Sequence, residues 1–165
     1  MKRYRVATVA AWSFAGILAA FGPTAEAEQA VLKGSAQVID GDSLTVAGQA
    51  VDLFGITAPR FNQQCRSDRV SWSCGRAAAR ALDRLVAGHE IACVPRQPSA
   101  ASAHLVARCT AGSIDVAEAM VERGFAVAWK DAPAYVAAEQ LARAQRLGIW
   151  RDGDIDPWLW RPEEG

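Results

Sequence analysis

Apolar and polar residues alternate with a period of two over residues 36–39, 43–46 and 51–56, which read as three strands. Asp40-Gly41-Asp42 turns the first strand into the second, and Ala47-Gly48-Gln49 the second into the third, giving a β-meander. On the third strand Val51 and Leu53 fall on one face, Asp52 and Phe54 on the other. From Gly75 the spacing changes: Ala78, Ala81, Leu82, Leu85 and Val86 recur at helical intervals until Gly88 stops the helix. Residues 91–93 and 105–109 read as two more strands, joined by an Ala/Ser/Pro-rich stretch, 95–103, with the composition of a flexible hairpin connection. Asp115 with Glu118 three positions on forms a capping box that opens a short helix through Val116, Met120 and Val121 to Gly124. An apolar stretch, 125–129, follows. Asp131-Ala132-Pro133 then starts a last helix, with Val136, Leu141, Ala144 and Leu147 on its apolar side and Gly148 at its end. Three strands, a helix, two strands and two helices predict an α+β domain built on a small antiparallel barrel. No internal repeat divides the 165 residues, which suit one domain.

The first residues follow a different pattern. Lys2, Arg3 and Arg5 precede an uncharged, mostly apolar run, 6–22, and Ala25-Glu26-Ala27 follows it, which predicts a signal peptide over residues 1–27 and a mature domain over 28–165. The run is shorter than the roughly 20 residues of a spanning helix, and no second such run follows, so no membrane span is expected after cleavage. Removing Lys2, Arg3, Arg5 and Glu26 takes the 18 basic and 18 acidic residues to 15 and 17. Net charge therefore offers no basic footprint for nucleic acid. A periplasmic or secreted location is expected.

Export changes the reading of the cysteines. Cys65, Cys74, Cys93 and Cys109 are an even set in an exported domain, where disulfides are the default. Three pairings exist. Cys65 and Cys74 flank one loop, and Cys93 and Cys109 each end a strand, which favours 65–74 with 93–109. A zinc site is excluded by spacing, since there is no C-x-x-C and His89 and His104 stand alone.

Three segments, Val38-Ile39-Asp40-Gly41-Asp42-Ser43-Leu44, Leu53-Phe54-Gly55-Ile56-Thr57-Ala58-Pro59 and Cys74-Gly75-Arg76-Ala77-Ala78, together resemble the staphylococcal nuclease (thermonuclease) family. Later segments around Val106-Ala107-Arg108-Cys109, residues 118–129 and Leu147-Gly148-Ile149-Trp150 match in order, so the resemblance covers about residues 36–150. It implies an OB-fold, a five-stranded antiparallel β-barrel with about three helices, a fold whose faces bind oligonucleotides or oligosaccharides. It also implies metal-assisted phosphodiester hydrolysis, in which carboxylates hold Ca²⁺, a Glu positions water and two Arg neutralise the phosphate.

The residues that would carry this chemistry depart from the family pattern. Asp42 matches the first metal carboxylate, with Asp40 in the same loop. Against the family's R-x-x-x-x-D-x-P-E, this chain places Asp52 at the phosphate Arg, Thr57 at the second metal ligand and Arg60 at the Glu. The second family Arg, three positions before an alanine, falls on His104; a shifted gap would bring Arg108 into competition for that role. No catalytic position is intact. Ca²⁺ would be held weakly, by Asp42 with Asp40 and the Thr57 hydroxyl, and no other cofactor is implied. Loss of an electrostatic partner of this kind costs about 10²–10³ in rate, so several losses predict little activity. Arg60 and His104 then read as a remnant anion pocket or as solvated residues of a decayed site.

Two further features read as structural. Arg76, Arg80 and Arg84 at four-residue spacing form the solvated face of their helix. Trp150, Trp158 and Trp160 with Pro157 form an aromatic tail better suited to docking on the barrel than to stacking a sugar or base. The resulting expectation is an exported, monomeric nuclease-fold protein that binds a polyanion, nucleic acid or glycan as an accessory module. The alternatives are a weak or rearranged secreted Ca²⁺-dependent nuclease, and a role in exopolysaccharide (succinoglycan) biosynthesis.

Overall fold

The structure, a computed structural model, describes residues 30–67, 70–96 and 103–151. The leader 1–27, most of the 95–103 connection, and Pro157, Trp158 and Trp160 lie outside the described residues.

A short run of chain does the work of closing the sheet. Strands β1 (Leu32–Gly34) and β2 (Ala36–Val38) are separated by Ser35 alone; β1 pairs with β8 (Ile91–Pro95) and β2 with β3 (Ser43–Val46). Strand β3 pairs with β4 (Gln49–Leu53), β4 with β9 (Leu105–Ala111), and β9 with β8. The order β1-β8-β9-β4-β3-β2 therefore returns to the run it started from. The expected OB barrel of five strands is present, with 32–38 as one bent strand. Every pair around it is antiparallel except β4 and β9, which run parallel. The parallel pair arises because α1 (Cys74–Val86) and β8 intervene between β4 and β9, a crossover rather than a hairpin.

The period-two pattern supplies the interior. Leu44, Val46, Val51, Leu53, Ile91, Cys93, Ala107, Cys109 and Ala111 point inward and are essentially inaccessible. Leu44 and Val51 face each other in register across β3 and β4. Helix α1 covers one side with Ala78, Ala81, Leu82, Leu85 and Val86, all expected from its spacing. Helix α2 (Val116–Glu122) is capped by Asp115, whose carboxylate accepts from the Glu118 N–H at 3.2 Å, and buries Val116, Met120 and Val121. Each large side chain so buried contributes about 1.5–3 kcal/mol.

Both favoured disulfides form. Cys93 and Cys109 are register partners in β8 and β9, inside the barrel. Cys65 and Cys74 close a loop that contains a hairpin the sequence pattern did not reveal, β6 (Cys65–Ser67) with β7 (Val70–Trp72). The apolar stretch 125–129 supplies β11 (Val127–Ala128), which pairs with β5 (Ile56–Thr57); β10 (Ile114–Asp115) extends β9.

Helix α3 (Pro133–Ala144) differs from expectation in the face it buries. Tyr135, Ala138 and Ala142 are buried, Leu141 is 62% exposed, Ala144 is exposed, and Val136 and Leu147 are half-buried. The face that meets α2 is lined by alanines because two helices approach closely only where side chains are small, and size-weighted periodicity overlooks them. After a turn, the short 3-10 segment Gly148–Trp150 buries Ile149 and Trp150. Trp150 thus docks on the domain as expected of the tail, with the Arg143 guanidinium 4.0 Å over its ring.

Gly41 is required by close approach: a Cβ there would lie 2.7 Å from the Cβ atoms of both Ala58 and Ala78. Gly75 is required more strictly, since its Cβ would overlap the carbonyl oxygen of Arg60, a backbone atom that has nowhere to move. Gly75→Ala is expected to cost about 2–4 kcal/mol in urea unfolding. Leu141→Gln is expected to change stability by no more than about 0.5 kcal/mol, because the side chain it replaces is already in water.

Candidate functional site

The turn between β2 and β3 places Asp40, Asp42 and Ser43 at one end of the barrel. Asp40 Oδ1 accepts from the backbone N–H of Asp42 at 3.1 Å, the local bond by which an aspartate shapes a turn. Asp42 is buried, 4% exposed, and its Oδ2 accepts from the Ala58 N–H at 2.6 Å. The Ser43 hydroxyl lies 3.3 Å from Asp42 Oδ1 and donates to Asp52 Oδ1 at 2.8 Å. Ser43 and Asp52 are register partners in β3 and β4, which explains why the hydroxyl reaches that carboxylate.

Asp52 has a second neighbour. The Nδ1 of His104, just before β9, lies 2.9 Å from Asp52 Oδ1, with the two side chains 42% and 29% exposed. The parallel pairing of β4 with β9 brings them together: Val51 is the partner of Leu105 and Asp52 that of Val106. Asp52 and His104 are the two positions at which the family resemblance predicts phosphate-binding arginines. Here they hold an acid and an imidazole that bond each other.

Thr57 is buried, and its Oγ1 accepts from the Trp129 indole N–H at 2.9 Å. Trp129 also meets Phe54 edge-on, with ring centroids 5.7 Å apart. Arg60 is exposed, and its carbonyl accepts from the Gln63 N–H at 2.7 Å. Asp42, Ser43, Asp52 and His104 form one linked cluster. Ser43 was not anticipated from sequence, although its place opposite Asp52 in the first hairpin was the available signal.

Calcium takes about six to eight oxygen ligands, several of them carboxylate. Of the positions considered for that role, Asp42 has each oxygen beside a protein donor, Asp40 shapes its own turn, and Thr57 accepts from an indole. Among the described residues no three His, Cys, Asp or Glu side chains are grouped so as to hold a metal ion. Among the described residues the donor set offers fewer carboxylates than a Ca²⁺ shell takes.

A second cluster sits farther along the same β4–β9 pair. Arg108, which the gap ambiguity had brought into competition with His104, donates from Nε to Asp115 Oδ2 at 2.6 Å. The Tyr135 hydroxyl donates to the same oxygen at 3.2 Å. The partnership with Asp115 raises the Arg108 guanidinium pKa. Burial, and then the charge of Asp115, push the Tyr135 phenol up from 10.0 to about 12. Nothing in the sequence joins Arg108 to Tyr135; the capping box at Asp115 was the one visible part.

Tyr135 is the only tyrosine after residue 27, so ultraviolet titration of the chain from residue 28 reads it directly. Its tyrosinate should appear with a midpoint near 12 instead of 10.0. A folded-state pKa raised above the unfolded one means that the unfolded chain loses its proton first as pH rises. Stability from this group is thus complete below pH 10.0 and falls as pH climbs toward about 12. Tyr135→Phe should flatten that alkaline decline in urea midpoints.

Comparison with known proteins accords with this barrel. Residues 50–152 match the family described as "Staphylococcal nuclease homologue". The chain is 30% identical over 152 residues to "Succinoglycan biosynthesis protein ExoI" of Rhizobium meliloti (strain 1021), covering 89% of this chain and 80% of that protein. On these matches the chain belongs to the staphylococcal nuclease homologue family.

Proposed function

We propose that the protein is an exported, monomeric binding or accessory module of the cell envelope, taking a polyanion or glycan and lacking the family's Ca²⁺-dependent nuclease activity. The pairing of Asp52 with His104 carries this reading. Phosphoryl transfer needs fixed positive charge aimed at the developing charge of the transition state. At these two positions a carboxylate instead repels a phosphate, and its bond to the imidazole occupies both groups.

The other supports are independent of that pair. Asp42 binds the Ala58 N–H and ties the β2–β3 turn to the segment after β5, a structural use of the one retained carboxylate. Two disulfides, one of them inside the barrel, suit an oxidising compartment. No helix among the described residues is long and apolar enough to cross a membrane. Succinoglycan biosynthesis, named for the Rhizobium meliloti relative, supports a place in exopolysaccharide production. The survival of Asp42 in its D-G-D loop favours a second reading, a secreted nuclease with a rearranged site.

Incubating the oxidised chain from residue 28 with single-stranded DNA and with RNA, in Ca²⁺ or in chelator, separates the two. The expected outcome is no Ca²⁺-dependent cleavage, with Asp42→Ala lowering stability by about 1–3 kcal/mol through the stranded Ala58 N–H. Ca²⁺-dependent cleavage that Asp42→Asn abolishes in a folded protein would overturn the proposal and establish the rearranged nuclease.

A further inference from the structure

Two residues beyond Asp52 on β4's outward side, Phe54 forms part of the lining of a cavity of about 270 Å³ with Tyr135, Pro133, Arg96, Arg108 and Asp131. The cavity lies where the end of β4, the β8–β9 hairpin and the start of α3 meet. Its chemistry is uneven in an informative way. The lining is mostly apolar, with Phe54, Pro133 and Tyr135, and the charged residues at it are Arg96, Arg108 and Asp131.

The guanidiniums have donors to spare. Arg108 spends Nε on Asp115, and among the described residues its two terminal nitrogens make no hydrogen bond. The Arg96 side chain makes none there either. A guanidinium carries five donors in a planar fork that matches a carboxylate or phosphate. Two such residues lining one cavity with an aromatic ring offer charge and a flat apolar face within reach of the same ligand. A hollow of about 390 Å³ at the C-terminal end of α1 offers no such pairing, because Asp83 and Glu90 line it.

The size and the third charge narrow the ligand. A pocket slightly below the roughly 300 Å³ at which drug-sized sites begin holds one ring with its substituents. Asp131 accepts hydrogen bonds from hydroxyls and repels a dense run of phosphates. Asp52, farther along the same face, repels them too. A sugar ring meets all three demands: its face lies on Phe54, its acid group reaches the arginines, and its hydroxyls reach Asp131.

We propose that this cavity is the subsite for one carboxylated sugar residue of an acidic polysaccharide, an inference that rests on the binding-module reading and names its ligand. Arg96 and Arg108 bind the carboxylate and Phe54 stacks the ring. Neutral sugars and phosphodiester chains are poor occupants.

Calorimetric titration with tetragalacturonate, its methyl ester and an oligothymidylate tests this on the oxidised chain from residue 28. The acid should bind at least about tenfold more tightly than its ester, which keeps the shape and removes the charge. Arg96→Gln, which removes an exposed side chain without a protein partner among the described residues, should weaken acid binding about tenfold, and Arg96→Lys should restore only part of it. Equal binding of acid and ester, or an Arg96→Gln protein that binds the acid as well as the wild type, overturns the subsite and leaves the module reading standing. Binding of oligothymidylate without tetragalacturonate does the same. No binding of either polymer by the folded protein overturns both.

Discussion

Closure of the barrel by a single bent strand is the constraint on which the remaining geometry depends. Residues 32–38 pair with β8 through their first half and with β3 through their second, so neither edge of the sheet is left to find another partner. With those pairings fixed, β4 must lie beside β9, and the intervening α1 and β8 make that contact parallel. The register that follows, Asp52 to Val106 and Leu53 to Ala107, sets which side chains share the outer surface. Asp52 meets His104 at one end and Phe54 stands near Arg108 at the other. The face that carries the candidate site is therefore a consequence of how the sheet closes.

On this scaffold the same positions have taken on different electrostatics. A buried carboxylate is stable only when it is hydrogen-bonded, and Asp42 accepts from the Ala58 N–H while the Ser43 hydroxyl, which donates to Asp52, lies beside its other oxygen. It behaves as a clamp between the first turn and the chain after β5. Ser43 couples it to Asp52, and Asp52 in turn to His104. Farther along β9 stands Arg108, which Asp115 holds in place together with the buried Tyr135. The Asp52–His104 pair and Arg108 are linked by geometry, since both lie on the one parallel strand pair.

Much of this was legible in the sequence, for identifiable reasons. The helical spacing of Ala78, Leu82 and Val86 identified α1 because its buried face contains large side chains on a regular interval. Strand alternation placed Asp52 and Phe54 on the outward face, whereas the family pattern left His104 and Arg108 in competition, and the register of β4 with β9 brings His104 to Asp52. The buried face of α3 was hidden because it is one tyrosine and two alanines, Tyr135, Ala138 and Ala142, while Leu141, its largest aliphatic residue, points to water. The β6–β7 hairpin was hidden by three-residue strands too short to show alternation. The Arg108–Asp115–Tyr135 network was invisible for a different reason: Tyr135 lies 20 residues from Asp115, and only the packing of α3 on α2 joins them.

The Cys93–Cys109 bridge connects this architecture to recognition. It joins register partners, and the next pair along the hairpin is Val94 with Arg108, followed by Pro95 with Ala107 and then Arg96. Arg108 therefore stands one residue from the bridge and Arg96, just past the end of β8, three residues from it. The Arg96 N–H donates to the Val106 carbonyl at 2.8 Å, which continues the pairing to the rim itself. A flexible hairpin would have to lose backbone freedom, at about 1–2 kcal/mol per residue, when a ligand bridged its two guanidiniums. Here the pairing through Arg96 and Val106 is formed before any ligand arrives, so more of the interaction energy appears as affinity. The disulfide thus stabilises a small barrel and also holds its cationic rim in one arrangement, and an oxidising compartment is where both effects persist.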